Sequence, residues 1–462
     1  MSFISLEFVL LFLLCFTSYH FVSDKRRKFV LLAASGVFIG YFNPAFLVTA
    51  LVVSLFTYGA AILIEQAREK GRGSRLIYWG GIFCLVLCWM GFRYANRLTG
   101  DSGFIFPLGM SFYTFQAIGY LTEVYWEEEK AERRPIDFLL YMLLFMKFLS
   151  GPIERSADLL PQVRKLSPVS YSMMTYGLKL IVVGLVKKLV LADHIAPYID
   201  GVFSSMHTAS GVQLLMACLL YPIELYADFS GYTDMAIGIG MLFGLKLSPN
   251  FAHPFAAQTT AEFWRRWHIS LSSWVRDYLP LSSFTRRWGQ WGVAASLMVT
   301  FIALGVWHGA GWTFAVYGFI QGLVIVWELR TERIRNKVRK HIGGRLFAML
   351  SVIRTYLIFA VSLVFFKAKS VSDAFYFLRN ISFQTHASWK EINIGMSDHI
   401  CIVAGAALLL MLLYDFFMSK GDLHRRLERQ PILLRWTIYY LIVFALFAYG
   451  KFGTENFIYL QF

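Results

Sequence analysis

Apolar runs recur along nearly the whole of this 462-residue chain, with only short polar or basic stretches between them. That pattern describes a polytopic helical membrane protein, not a soluble domain carrying an anchor. Composition agrees: 57% of residues are hydrophobic and 16% are charged, against about 25% charged in ordinary soluble domains. Candidate membrane segments run over residues 3–20, 29–42, 45–64, 76–93, 104–126, 136–150, 172–192, 211–228, 233–246, 293–307, 312–328, 347–366, 398–418 and 432–450. Several are too short to cross a bilayer, which needs about 20 residues, so about eleven true spans plus re-entrant pieces are expected. The first twenty residues contain Glu7 and neither Lys nor Arg. Without a charged leader they read as a first transmembrane helix and not as a cleaved signal peptide.

The net charge of +15 is concentrated in Lys25-Arg26-Arg27-Lys28 and in the stretches 68–75, 330–345 and 420–429, while 127–134 adds three basic residues beside four glutamates. Short loops rich in Lys and Arg stay cytoplasmic. Segments 29–42 and 45–64 then form one hairpin between two basic loops, and 347–366 with 398–418 form another. This parity places the start of the first segment, the loop 367–397 and the tail 451–462 outside. Basic residues dispersed among spans do not make a nucleic-acid surface. The five cysteines all lie in apolar runs. They read as free, buried thiols, and no metal site is expected, because Cys84 and Cys88 alone make a poor one.

Gly305-Val306-Trp307-His308-Gly309-Ala310-Gly311-Trp312 lies between the apolar runs 293–307 and 312–326. The first run gives about 22 Å of helix at 1.5 Å per residue, short of the roughly 30 Å hydrocarbon. A chain entering after Arg286-Arg287 would therefore still be in the membrane at His308. Its glycines allow the helix to break there, which lipid forbids unless protein or a water-filled cavity surrounds the break. An ionisable group at that depth marks a candidate functional site.

The segment 261–278 is amphipathic. At 100° per residue Phe263, Trp264, Trp267, Leu271, Trp274, Val275 and Tyr278 share one side, and Glu262, Arg265, Arg266, Ser272, Ser273, Arg276 and Asp277 the other. It is predicted as one helix in the membrane interface, aromatic residues down and arginines up, with His268 on the border. The arginines either meet lipid phosphates or, with His268, line a mouth for an anionic substrate, whose phosphates suit the guanidinium fork. Glu224, Asp228 and Asp234 put three carboxylates within eleven mostly apolar residues. Such groups are costly to bury and are usually paired. They either hold His268 or the arginines, or form purely structural ion pairs. The remaining histidines lie near span ends or in loops.

Five islands occur in order: Phe106-Pro107-Leu108-Gly109-Met110-Ser111-Phe112-Tyr113-Thr114-Phe115-Gln116, Ser150-Gly151-Pro152-Ile153, Asp228-Phe229-Ser230-Gly231-Tyr232-Thr233-Asp234-Met235-Ala236, Glu262-Phe263-Trp264-Arg265-Arg266-Trp267-His268-Ile269-Ser270-Leu271-Ser272 and Gly305-Val306-Trp307-His308-Gly309. Together they resemble the membrane-bound O-acyltransferase superfamily, in its bacterial branch typified by the membrane subunit of alginate O-acetylation. The likeness is good over roughly residues 1–330, with its core at 104–330, and looser beyond. It implies one integral membrane domain over 1–462, with about eleven spans and re-entrant pieces around a funnel or tunnel. It also implies that His308 is the essential histidine and His268 the second histidine of this branch. Two departures stand out. Pro280-Leu281-Ser282-Ser283 follows Leu279 directly, two residues shorter than the usual glycine-containing loop, and Glu123 replaces a common Asp.

The resemblance further implies transfer of an acyl group from a cytoplasmic thioester, with acetyl-CoA as donor substrate and no tightly bound cofactor. The acceptor would be a polysaccharide outside the bacterial inner membrane, reached through a periplasmic SGNH-hydrolase-like partner. A neutral imidazole can take a proton from an attacking hydroxyl, and burial favours that neutral form. His308 is accordingly assigned as general base. His268 is a helper that orients the donor or relays a proton, unless it is structural. Arg265, Arg266 and Arg276 are candidate contacts for the donor's phosphates, Asp228 and Asp234 are supporting groups, and Trp264, Trp267 and Trp307 are candidate substrate contacts. Two rivals remain open: a D-alanyl transferase for teichoic acids using a carrier-protein thioester, and a transporter without chemistry.

Overall fold

The computed structural model describes residues 2–99, 106–166, 168–279, 282–383, 388–393 and 396–453. The start of the predicted 104–126 span, the shortened loop at Pro280 and Leu281, residues 384–387 and 394–395 of the 367–397 loop and nearly all of the 451–462 tail lie outside these. Within the described residues regular structure is helical throughout. Among the described residues eight helices are long and apolar enough to cross a membrane: Pro44–Glu69, Ser74–Ala95, Gly211–Leu242, Trp288–His308, Trp312–Arg330, Gly344–Lys367, Asp398–Ser419 and Ile432–Tyr449. The apolar Leu6–Phe21 is shorter, at 16 residues. Large apolar side chains stay exposed along Ile432–Tyr449, Leu433 and Phe447 among them, as expected of a helix facing lipid.

Contacts divide the chain into two compact units. The first holds the N-terminal helices and residues 232–249. Its helices start where short polar side chains take the first free N–H groups: Ser5 caps Leu6–Phe21, and Asn43 caps Pro44–Glu69, where proline suits the opening turn. Aromatic rings of Phe3, Phe8, Phe38 and Phe145 fill its interior, and the Tyr19 hydroxyl donates to the Phe243 carbonyl at 2.7 Å. Buried Glu154 accepts from the Ser248 N–H and hydroxyl, at 2.6 and 2.9 Å, and so fixes the strand of chain leading to Pro249.

The second unit holds residues 185–231 and 250–454, and with them both histidines of the predicted site. It begins with a π-helical stretch, Val186–Ala192. This widened turn turns both Lys187 and Lys188 inward; such turns recur at functional sites.

Four expectations change. Segments 211–228 and 233–246 are one helix, Gly211–Leu242, of 32 residues. Its polar island does not interrupt the helix, because side-chain ion pairing, described below, offsets the cost of burial. The 136–150 segment splits into Pro135–Leu143 and Phe145–Phe148, each too short to span. The amphipathic 261–278 segment is two helices, Thr260–Arg266 and Ile269–Tyr278. Lastly, the thiols are not uniformly buried: Cys15 and Cys218 are, Cys84 is exposed, and Cys88 and Cys401 lie between.

Candidate active site

His308 is the last residue of its helix, and three residues separate it from Trp312–Arg330. The two helices therefore form a tight hairpin, which small residues make possible. A Cβ on Gly305 would overlap the Phe314 carbonyl oxygen, and one on Gly318 would overlap that of Phe301. The helix break expected at Gly309 and Gly311 is present. The membrane-length segment starts at Trp288, not at residue 293, and is kinked at Gly289 (φ 53°, ψ −130°). The continuous helix after that kink, residues 290–308, measures about 28 Å, close to the roughly 30 Å hydrocarbon, so length alone does not fix the depth of His308. Protein packing is what encloses it. The imidazole is 8% exposed, edge-on to Trp307 at 4.7 Å and to Phe366 at 5.2 Å.

His268 sits at the break between the two short helices, in the left-handed backbone region at φ 44°, ψ 56°. That conformation is uncommon for a residue with a Cβ and is tolerated where surrounding structure imposes it. Here the imposing structure is the segment after Pro249. The Ala252 N–H donates to the Arg266 carbonyl and the Ile269 N–H to the Asn250 carbonyl, both at 2.9 Å. The Asn250 side-chain oxygen lies 3.1 Å from His268 Nδ1, and it accepts from the Ser270 N–H at 3.2 Å and hydroxyl at 2.9 Å. Phe229 packs edge-on to the imidazole at 4.8 Å. Burial holds His268 well below the ordinary histidine range, and nearby His308 lowers it further. The two imidazoles, forty residues apart in sequence, thus lie within electrostatic reach of each other.

The helix Thr260–Arg266 does not float in an interface. Phe263, Trp264 and Trp267 are buried in protein. Trp264 Nε1 donates to Gln321 at 3.0 Å, and the Gln321 amide donates to Ser362 at 2.7 Å. The Thr260 N–H donates to Glu328 at 2.8 Å, and Arg354 holds the same carboxylate at 2.7 Å. Thr260 thus meets Trp312–Arg330 near its C-terminal end, and Trp264 meets it two turns further in, in the direction of the hairpin turn. The aromatic stripe was legible in the sequence; what it faces was not, because lipid and protein interior are equally apolar.

The predicted polar partners divide. Asp228 is held by a lysine. It accepts from Lys188 at 2.5 Å, and Lys188, only 1% exposed, also meets Asp193 at 2.9 Å. Glu224 is buried one turn away on the same helix, while Asp234 is half-buried and belongs to the first unit. Arg266 pairs with Glu262 at 2.6 Å and reaches the His253 carbonyl, and Arg276 pairs with its neighbour Asp277 at 2.8 Å. Arg265 is exposed. Trp267 stacks on Phe263 at 5.4 Å.

The family model for MBOAT, the membrane-bound O-acyltransferase family, matches residues 127–368, more than half of the chain. The chain belongs to the membrane-bound O-acyltransferase family. It is 31% identical to the "Probable alginate O-acetylase AlgI" of Pseudomonas aeruginosa over 435 residues, 90% of this chain and 81% of that protein. It is 29% identical to the "Peptidoglycan O-acetyltransferase" of Helicobacter pylori, covering 86% of this chain and 84% of that one. The "Teichoic acid D-alanyltransferase" of Streptococcus thermophilus is 28% identical over 59% of this chain and 69% of its own length. As a member of this family the protein is an acyltransferase, and the matched region contains both histidines and every residue in contact with them above.

Sequence reasoning missed Asn250, Gln321 and the Lys188 pair. Gln321 carried a signal: it is the one amide within the apolar run 312–326, and isolated polar groups inside spans are rarely idle. Asn250 carried none, since Ser248-Pro249-Asn250 reads as an ordinary turn.

Proposed function

We propose that this membrane acyltransferase moves acetyl from acetyl-CoA, presented at the cytoplasmic side of the bacterial inner membrane, to a hydroxyl bound for an extracytoplasmic polysaccharide. The observation that supports the reading is that two buried histidines, His268 and His308, stand at helix ends of one unit within electrostatic reach of each other. In the step itself, a hydroxyl oxygen attacks the thioester carbonyl while His308 takes its proton. The tetrahedral intermediate collapses, the C–S bond breaks and the thiolate recovers that proton, so atoms and charge balance without a further reactant. His268 supports this exchange, and exposed Arg265 is the arginine best placed to receive the donor's phosphates. A periplasmic SGNH-hydrolase-like protein completing transfer to the polymer fits the same scheme.

D-alanyl transfer from a carrier protein is the second reading, favoured by the teichoic acid relatives. The O-acetylation relatives match more of the chain, 86% and 90% against 59% and 66%, which supports the first. Proteoliposomes offered radiolabelled acetyl-CoA or D-alanyl carrier protein distinguish them. Thiol release from acetyl-CoA alone is the expected result, and turnover only with the loaded carrier protein overturns the donor assignment.

A further inference from the structure

The hydrogen bonds around Asn250 settle which nitrogen of His268 carries its proton. The two ends of an asparagine amide look alike, and their assignment has to come from the partners. Here one partner is unambiguous. The Ser270 backbone N–H can only donate, and it points at the Asn250 side-chain atom 3.2 Å away, so that atom is the carbonyl oxygen. The same oxygen lies 3.1 Å from His268 Nδ1. An oxygen acceptor requires a donor opposite it, so Nδ1 bears the hydrogen and Nε2 bears the lone pair. The backbone reinforces the arrangement, because the Asn250 carbonyl also accepts from the Ile269 N–H at 2.9 Å. Asn250 therefore grips His268 and the two residues that follow it, through both its side chain and its main chain, and it is 1% exposed.

We propose that Asn250 is a positioning residue that locks His268 as the Nδ1–H tautomer and makes Nε2 a hydrogen-bond acceptor for the attacking hydroxyl. This rests on the acyl-transfer reading above and gives the second histidine a role toward the acceptor. A lone pair at Nε2 can receive a hydrogen bond from a hydroxyl, but it cannot donate one to the oxygen of a tetrahedral intermediate. The group behind the ring is a neutral amide. In a Ser-His-Asp site the carboxylate behind the imidazole stabilises the imidazolium; an amide offers orientation without that charge. His268 thus orients the hydroxyl, and His308 is left to take the proton.

The test begins with the wild-type protein, labelled with ¹⁵N-histidine in nanodiscs. The ring resonances of His268 are assigned by their loss in His268→Gln. A protonated Nδ1 and an unprotonated Nε2 are expected; a protonated Nε2 overturns the proposal. This readout needs no turnover, so it stands apart from any failure of the acetyl-transfer assay. Kinetically, Asn250→Leu removes the acceptor at nearly the same volume and is expected to lower kcat on the order of 10²-fold, with KM for the donor little changed. Asn250→Asp, which keeps an acceptor oxygen facing Nδ1 and Ser270, is expected to recover most of that loss. Equal activity of the leucine variant and wild type overturns the proposal. If the leucine variant does not fold, the wild-type tautomer decides alone.

Discussion

Three arginines that look equivalent in the sequence are not equivalent in place. The Arg266 guanidinium already holds Glu262, Arg276 holds Asp277, and Arg265 is exposed. If phosphate is gripped here, Arg265→Ala raises KM for acetyl-CoA about tenfold, the size of one lost charged hydrogen bond. Arg266→Ala instead loosens the short helix that leads to His268, and it lowers kcat with a smaller change in KM. Steady-state kinetics on the two variants separates these outcomes; identical effects would contradict the division. His308 was legible from sequence because a histidine flanked by glycines between two apolar runs has few bland explanations. Its depth of about 22 Å was drawn from the apolar run alone, whereas the helix continues back beyond that run to a kink at Gly289. Asp228 was legible as a costly buried charge, but its partner was not, since Lys188 lies forty residues away on a π-helical turn that no local pattern announces.

At the scale of elements, the site depends on two helices of one hairpin lying closer than most side chains permit. Gly318→Ala would drive a Cβ into the Phe301 carbonyl, and backbone cannot rotate away as a side chain can. A loss of about 1–3 kcal/mol is expected, read as a lower Tm in detergent together with reduced turnover. Gly59→Ala, where a Cβ meets nothing within 4 Å, is the control and is expected to leave both unchanged or slightly improved. Gln321→Leu strips Trp264 Nε1 of its acceptor in a buried setting, which costs about 1–3 kcal/mol. It is expected to lower turnover while the rest of the bundle keeps its protection in hydrogen exchange. The period of 3.6 showed that residues 261–278 bury one face. It could not show the break at Trp267 and His268, because the interruption is imposed by residues 250–252, which pair with it from outside the segment.

For the whole molecule, apolar runs were enough to establish a helical membrane protein, and five motif islands were enough to place it in its family. The number of crossings was harder to read, since an apolar stretch can end as one long helix, as Gly211–Leu242 does, or as two short ones, as at Pro135–Leu143 and Phe145–Phe148. Orientation follows from the basic stretches and makes a direct statement. The charge parity predicts that the helix Glu332–Ile342, exposed and rich in Arg and Lys, faces the cytoplasm and that Val371–Arg379 faces outward. In a cysteine-free background, Asn336→Cys and Phe375→Cys, both at exposed positions, are expected to react with impermeant maleimide from opposite sides of the membrane. Labelling from the same side would contradict the charge parity on which the donor's cytoplasmic entry rests. The central claim is that acyl transfer passes through His308. It is tested most directly by His308→Ala, purified, shown to be folded, and reconstituted beside wild type with acetyl-CoA, following CoA release in vesicles and polysaccharide acetylation in cells. Loss of both signals in the variant, with both present in wild type, is the expected result. Persistence of CoA release and acetylation without the imidazole would contradict the account.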